Sequence, residues 1–81
     1  MTDTYHPPVK RSVEIAGHKT SISLEPVFWH ALRAAAKDRG LPVNALVALI
    51  DEERIASDTA PGLASAIRCW LVADMQRGDP A

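Results

Sequence analysis

Cysteine is almost absent from this chain, which limits how the fold can be stabilised. Cys69 is the only cysteine among the 81 residues, so an intrachain disulfide is excluded. A lone thiol is typical of a reducing compartment, where we expect Cys69 to be buried and to behave as a small apolar side chain. A chain of this length buries only about 60–65% of its unfolded surface, so a single core is marginally stable. We therefore expect a second subunit to complete the core.

Long apolar runs are also lacking. Charged residues, among them Asp51, Arg68 and Asp74, interrupt the apolar stretches well before the roughly 18 residues that a membrane span needs. No hydrophobic block follows the polar start of the chain, so we expect no secretion signal. These absences predict a cytoplasmic protein that makes no contact with a membrane.

Neither sign of charge dominates, since nine basic residues stand against ten acidic ones and the net charge is -1. This balance argues against a uniformly basic nucleic-acid binder. The charges are nevertheless unevenly distributed: residues 1–40 hold six basic and four acidic side chains, whereas residues 41–81 hold three and six. We therefore expect any polyanion to bind the N-terminal half.

Signals of catalysis or metal binding are missing from the sequence. The histidines His6, His18 and His30, together with Cys69, lack the spacing of metal ligands. The glycines are isolated and form no phosphate-binding loop. The consecutive acids Asp51–Glu53 fan out around a helix instead of converging on one site. We predict no catalytic residue, no metal site and no cofactor, and a protein that is not an enzyme.

Two short segments, Ser12–Ile15 and Thr20–Leu24, alternate apolar and polar side chains, which is typical of β-strands. A four-residue loop over Ala16–Lys19 would place Ile15 opposite Thr20, so that the apolar faces of the two segments coincide. Such a hairpin is one arrangement, and pairing with a strand of another chain is the other. The sequence leaves open which segment forms the central ribbon.

Apolar side chains recur at helical spacing in three later segments. The first begins at Pro26, a residue suited to a first helical turn, and ends before Gly40, which suits the left-handed position after a helix. The second segment opens at Pro42, and the third ends near Gln76. The predicted organisation is a disordered arm (1–9), a domain (10–55), a C-terminal helix packed on the same domain (56–77) and a tail (78–81).

One run of the chain, Lys19–Ile50, combines a strand, a helix and a glycine turn in a fixed order. Ser21–Leu24 precede Pro26, and the helix that follows leads to Gly40–Val47, which is similar to a Gly-x-Ser-x-Asn/Ser-x-x-Ile turn. These features resemble the ribbon-helix-helix DNA-binding domain, the fold of the Arc and methionine repressors. The flanking residues look like a bacterial branch of that family with an added C-terminal helix.

The resemblance implies a mainly α fold with a short β-ribbon, assembled as an intertwined homodimer. Strands of two protomers would pair antiparallel into the ribbon, and the two helices of each chain would interlock beneath it. The dimer core would then consist of strand and helix residues, namely Thr20, Ile22, Leu24, Phe28, Leu32, Leu46, Val47 and Ile50. On this interpretation a single chain would be unstable.

The resemblance also implies a transcriptional regulator whose ribbon enters the major groove of a pseudo-palindromic site. Alternation places Lys19, Ser21 and Ser23 on the groove side, where they would contact bases. Phosphate contacts would come from the basic pair in the N-terminal half and from the start of the second helix, namely Lys10, Arg11, Val43 and Asn44. The expected partners are double-stranded DNA and a second copy of the chain.

Two residues depart from the family pattern. Pro42 stands where a serine or threonine usually caps the second helix. Glu14 would share the groove face if the two alternating segments pair, and its carboxylate would then either repel phosphates, which we expect, or accept a hydrogen bond from cytosine N4. These departures, with the acidic C-terminal half, support an alternative: a dimeric protein-interaction module, or an antitoxin-like partner binder, with little or no DNA binding. Trp70 and Leu71 would anchor its protein partner.

Overall fold

The computed structural model describes residues 4–78, which form two strands and three helices. In chain order these are β1 (Val9–Ile15), β2 (His18–Leu24), α1 (Pro26–Asp38), α2 (Val43–Ala56) and α3 (Leu63–Arg77). This order confirms the predicted ribbon-helix-helix fold class with a third helix. The first three residues of the predicted arm, and the predicted tail after Gly78, lie outside the described residues.

The two strands pair with each other as an antiparallel hairpin. The turn that joins them is Ala16-Gly17, whose φ angles are both positive, at 50° and 82°. Ile15 therefore pairs with His18, and the predicted four-residue loop with its register is wrong. Positive φ at both turn positions matches the twist of a hairpin, and Gly17 adopts it without steric cost. A register shift of two residues leaves the faces of the strands unchanged.

β1 supplies a partner strand for β2 from within the same chain. Each residue from Val9 to Ile15 faces a residue of β2 in the same chain. Both alternating segments of the sequence are therefore strands of one ribbon within a single chain.

The core lies between the inner face of the ribbon and the three helices. Val13, Ile22 and Leu24 are buried on the strands. The helices contribute Trp29, Leu32, Ala35, Ala36, Leu46, Val47, Ile50, Ala66, Ile67 and Leu71. Of the residues predicted for the dimer core, all except Thr20 and Phe28 are buried within the one chain, and those two are half-buried. α3 thus covers apolar surface that we expected a second chain to cover.

A tight turn at Gly40 joins α1 to α2. Gly40 has a φ of 64°, the left-handed conformation predicted for it, and its N–H donates to the carbonyl of Lys37 at 3.0 Å. Pro42 then precedes the first residue of α2 and makes no side-chain capping hydrogen bond. The departure noted in the sequence therefore leaves the start of α2 without a side-chain cap.

α3 packs one face against the rest of the chain. Ile67 and Leu71 on this face are buried. Cys69 lies two residues from each of them, and at about 100° per residue its side chain points to the opposite side of the helix. The thiol is exposed, so the predicted burial of Cys69 is wrong.

Two ion pairs connect α3 to the residues that flank α1. Arg68 donates to Oε1 of Glu25 from Nε at 3.0 Å and from Nη2 at 2.8 Å. Arg39 donates to both carboxylate oxygens of Asp74. The pKa of the Glu25 carboxyl is lowered, first by a hydrogen bond with the backbone of Glu25 itself and then by the hydrogen bonds from Arg68. The pKa of the Asp74 carboxyl is lowered by the hydrogen bond from Arg39. These pairs hold α3 at both ends of α1.

Candidate nucleic-acid interface

The outer face of the ribbon, which we define as the outward side chains of both strands, is polar and exposed. Because successive side chains of a strand point to opposite faces, this set is Lys10, Ser12, Glu14, Lys19, Ser21 and Ser23. The register pairs Lys10 with Ser23, Ser12 with Ser21, and Glu14 with Lys19. The three residues predicted to contact bases therefore share one face with three residues of β1.

The start of α2 lies beside the turn end of the ribbon. The backbone N–H of Glu14 donates to Oδ1 of Asn44, with an N···O distance of 3.2 Å. The first backbone N–H groups of a helix, here those of Val43 and Asn44, have no partner within the helix. Two of the residues predicted to contact phosphates therefore lie next to the edge of β1.

Lys10 and Arg11, the other predicted phosphate contacts, point to opposite faces of β1. Lys10 belongs to the outer face, whereas Cζ of Arg11 lies 5.8 Å from the centroid of the Trp29 ring. The indole Nε1–H of Trp29 donates to the carbonyl of Val9 at 2.9 Å, which ties the start of β1 to α1. Both cations are exposed, and they occupy different sides of the ribbon.

The basic side chains of the described chain fall into two groups. One group is ion-paired: Arg39 and Arg77 with Asp74, Arg54 with Asp51, and Arg68 with Glu25. None of the ion pairs within residues 4–78 includes Lys10, Arg11, Lys19, Arg33 or Lys37. The second group lies wholly in the N-terminal half, and three of its members belong to the ribbon. The ribbon therefore carries cations that no carboxylate of the described chain neutralises by direct contact.

α3 does not present the apolar anchors predicted for a protein partner. Leu71 is buried in the core, so that prediction is wrong; the face of α3 that bears it packs against α1 and α2. Trp70 is half-buried, and Cζ of Arg39 lies 4.8 Å from the centroid of its ring. Both side chains are thus engaged within their own chain.

Sequence reasoning missed two features of this surface. Ser12 was not included among the residues expected to contact DNA, although the alternation of β1 places it beside Glu14 on the outer face once the hairpin is accepted. The bond between Glu14 and Asn44 joins residues 30 positions apart, and no local pattern indicates it. That bond joins the start of α2 to the ribbon.

Within residues 4–78, no group of three or more histidine, cysteine or acidic side chains is suited to hold a metal ion. The helices in this part of the chain are also too short or too polar to cross a membrane.

A two-stranded ribbon followed by two helices that meet at a glycine turn defines the ribbon-helix-helix class of domains. The sequence model of the ribbon-helix-helix domain matches residues 8–75, and the chain belongs to this family. The match extends from the ribbon into α3, so the third helix is part of the matched domain. No curated protein and no solved structure matches the chain. The family generally includes DNA-binding regulators and antitoxins, and its members typically dimerise.

Proposed function

We propose that this protein is a DNA-binding transcriptional regulator that inserts the outer face of its ribbon into the major groove. The observation that carries the proposal is an exposed, polar outer face with Lys19 at the turn end and Lys10 at the open end. The major groove is about 12 Å wide and admits a two-stranded β-ribbon. The setting we propose is the bacterial cytoplasm, and the single unpaired thiol supports a reducing compartment.

The proposed contacts divide between bases and backbone. Base edges are contacted by Lys19, Ser21 and Ser23, because lysine donates to guanine O6 and N7 and serine hydroxyls both donate and accept. Phosphates are bound by Lys10, Arg11 and the N–H groups of Val43 and Asn44. Helix N-termini attract anions, and the bond from Glu14 to Asn44 supports this role because it holds the start of α2 beside the ribbon.

Removing the two lysine charges of the outer face, one at each end of the ribbon, is expected to weaken DNA binding strongly. In a Lys10→Gln/Lys19→Gln variant, affinity for a selected duplex should fall about 10- to 100-fold, because two cations no longer contact the DNA. The dependence of log K on log salt should become shallower by about one to two units. Fluorescence anisotropy at about 50 and 200 mM salt measures both quantities.

The matched control is Lys37→Gln. Lys37 is exposed and lies about 16 Å along α1 from the end of the ribbon, so its loss should change affinity less than about twofold. If the unsubstituted protein shows no salt-dependent binding to any duplex at low salt, the proposal is rejected. It is also rejected if Lys37→Gln weakens binding as much as the double substitution does.

We further propose that two copies act together, so that two ribbons read the two halves of a pseudo-palindromic site. Two observations support this: members of the family typically dimerise, and Val27, Val72 and Met75 remain exposed on α1 and α3. Light scattering at micromolar concentration should therefore give about twice the chain mass of 8.8 kDa. A mass of one chain across the accessible concentrations would reject the dimer and leave the intrachain ribbon unaffected.

The alternative role, an antitoxin-like or other protein-binding module, has less support. It depends on apolar anchors on α3, and the two that the sequence suggested are engaged in the core or covered by Arg39. The cations of the ribbon, which no carboxylate of the described chain contacts, are also better matched by a polyanion such as DNA. We therefore propose DNA as the principal partner.

A further inference from the structure

Glu14 is the one acidic side chain on the outer face of the ribbon, and the register places it opposite a basic residue. Its direct partner across the hairpin is Lys19, and both side chains are exposed. Neither residue takes part in an ion pair of the described chain, so both charged groups are available to a ligand. A ligand that presents a hydrogen-bond donor beside a hydrogen-bond acceptor would match both groups.

The geometry of this pair brings the two side chains close together. The two-residue turn makes Ile15 and His18 a hydrogen-bonded pair, and the N–H of the next residue, Glu14, donates away from β2 to the side chain of Asn44. Glu14 and Lys19 therefore form a non-hydrogen-bonded pair of the ladder, the kind in which opposing side chains approach most closely, with Cβ atoms about 4.5–5.5 Å apart. The same bond fixes the backbone of Glu14 against α2. An acceptor-only group and a donor-only group are thus held next to each other at the turn end of the ribbon.

We propose that Glu14 and Lys19 together read one G·C base pair in the major groove, an inference that rests on the function proposed above. A G·C pair presents the N4 amino donor of cytosine on one side and the O6 and N7 acceptors of guanine on the other. The Glu14 carboxylate accepts from N4, and the Lys19 ammonium donates to O6 or N7. The two charges offset each other, so the pair approaches the groove without a net negative charge.

An A·T pair fits the same two side chains poorly. Its N6 donor lies between two acceptors, adenine N7 and thymine O4, so a carboxylate that reaches N6 also faces an acceptor. Glu14 is therefore a specificity-determining residue and not only a charge that repels phosphates. Both strands of the ribbon, β1 as well as β2, contribute to recognition. The pair Lys10 and Ser23 lies four residues further along the ribbon, about 13 Å away, which corresponds to about four base pairs.

The test uses the full chain and a duplex selected from a random pool, with each base pair replaced in turn. The unsubstituted protein should prefer G·C at one position by about tenfold or more over A·T. Glu14→Gln and Lys19→Gln should each abolish most of the preference at that same position, and the double variant should lose little more. Glu14→Gln should at the same time bind a random duplex more tightly, because a negative charge is removed.

The matched control is Glu53→Gln, which removes the same charge from an exposed residue that lines the groove between α2 and α3. It should keep the full G·C preference. Thermal unfolding followed by circular dichroism should be unchanged in all these variants, since every substituted side chain is exposed.

Two results would overturn the inference and leave the proposed function intact. In the first, Glu14→Gln raises affinity equally for the G·C and A·T duplexes and keeps the preference, which makes Glu14 a repulsive charge only. In the second, Glu14→Gln and Lys19→Gln alter preference at different positions. If instead the unsubstituted protein binds no duplex, the proposed function fails, and the inference fails with it.

Discussion

A Trp29→Ala variant is expected to lose about 3–5 kcal/mol of unfolding free energy, a large share of the roughly 4–12 kcal/mol available to a chain of this length. Trp29 is buried among the apolar side chains of the core, so its removal leaves a cavity. It also donates its indole N–H to the carbonyl of Val9. Urea denaturation followed by circular dichroism, at fixed protein concentration, measures the loss.

The chain provides its own control for this prediction, because it has a second tryptophan. Trp70 is only half-buried, so Trp70→Ala should cost clearly less than Trp29→Ala. A Trp29→Phe variant retains most of the apolar volume and removes the bond to Val9, which should cost about 1–3 kcal/mol. Equal losses at Trp29 and Trp70 would show that Trp29 does not anchor the start of the ribbon.

An Ile67→Ala variant is expected to lose about 2–5 kcal/mol, which lowers the unfolding midpoint by about 10 °C or more. Ile67 lies on α3 and is fully buried. The size of this loss shows how much the packing of α3 contributes to the stability of the domain. Differential scanning calorimetry, with a concentration series, gives the shift in midpoint.

The control for Ile67→Ala is Cys69→Ala, a substitution at an exposed residue two positions along the same helix. Its substitution should change the free energy of unfolding by less than about 0.5 kcal/mol. If both variants have similar small effects, α3 is an appendage, and the interpretation of the core as closed within one chain is incorrect.

The helices and the faces of the strands could be predicted because they depend on local patterns. Alternation assigned Lys19, Ser21 and Ser23 to one face of β2 and Ile22 and Leu24 to the other, and the burial of the strand agrees. A shift of two residues in the hairpin register did not disturb these assignments, since side chains repeat every two residues. Gly40 was predictable for a similar reason, because its left-handed conformation is a local property.

Features that depend on distant residues could not be predicted in the same way. The turn Ala16-Gly17 lacks the Asn-Gly or Asp-Gly signal of a two-residue hairpin, so the shorter loop was missed. The sequence pattern alone cannot distinguish a strand paired with its neighbour from one paired with another chain. The ion pairs of Arg39 with Asp74 and of Glu25 with Arg68 join the residues that flank α1 to α3 across 35 and 43 positions of the chain, so no local pattern indicates that α3 packs on its own chain.

Pairing of β1 with β2 has a consequence for how this ribbon can change over evolution. In a ribbon made from two identical chains, each substitution on the reading surface occurs twice, and the surface keeps a two-fold axis through its centre. Here Lys10, Ser12 and Glu14 face Ser23, Ser21 and Lys19, so the two strands differ in sequence and each can vary independently. A single ribbon of this kind has no internal symmetry, so under the proposed function the half-site that each ribbon reads does not need to be a palindrome in itself.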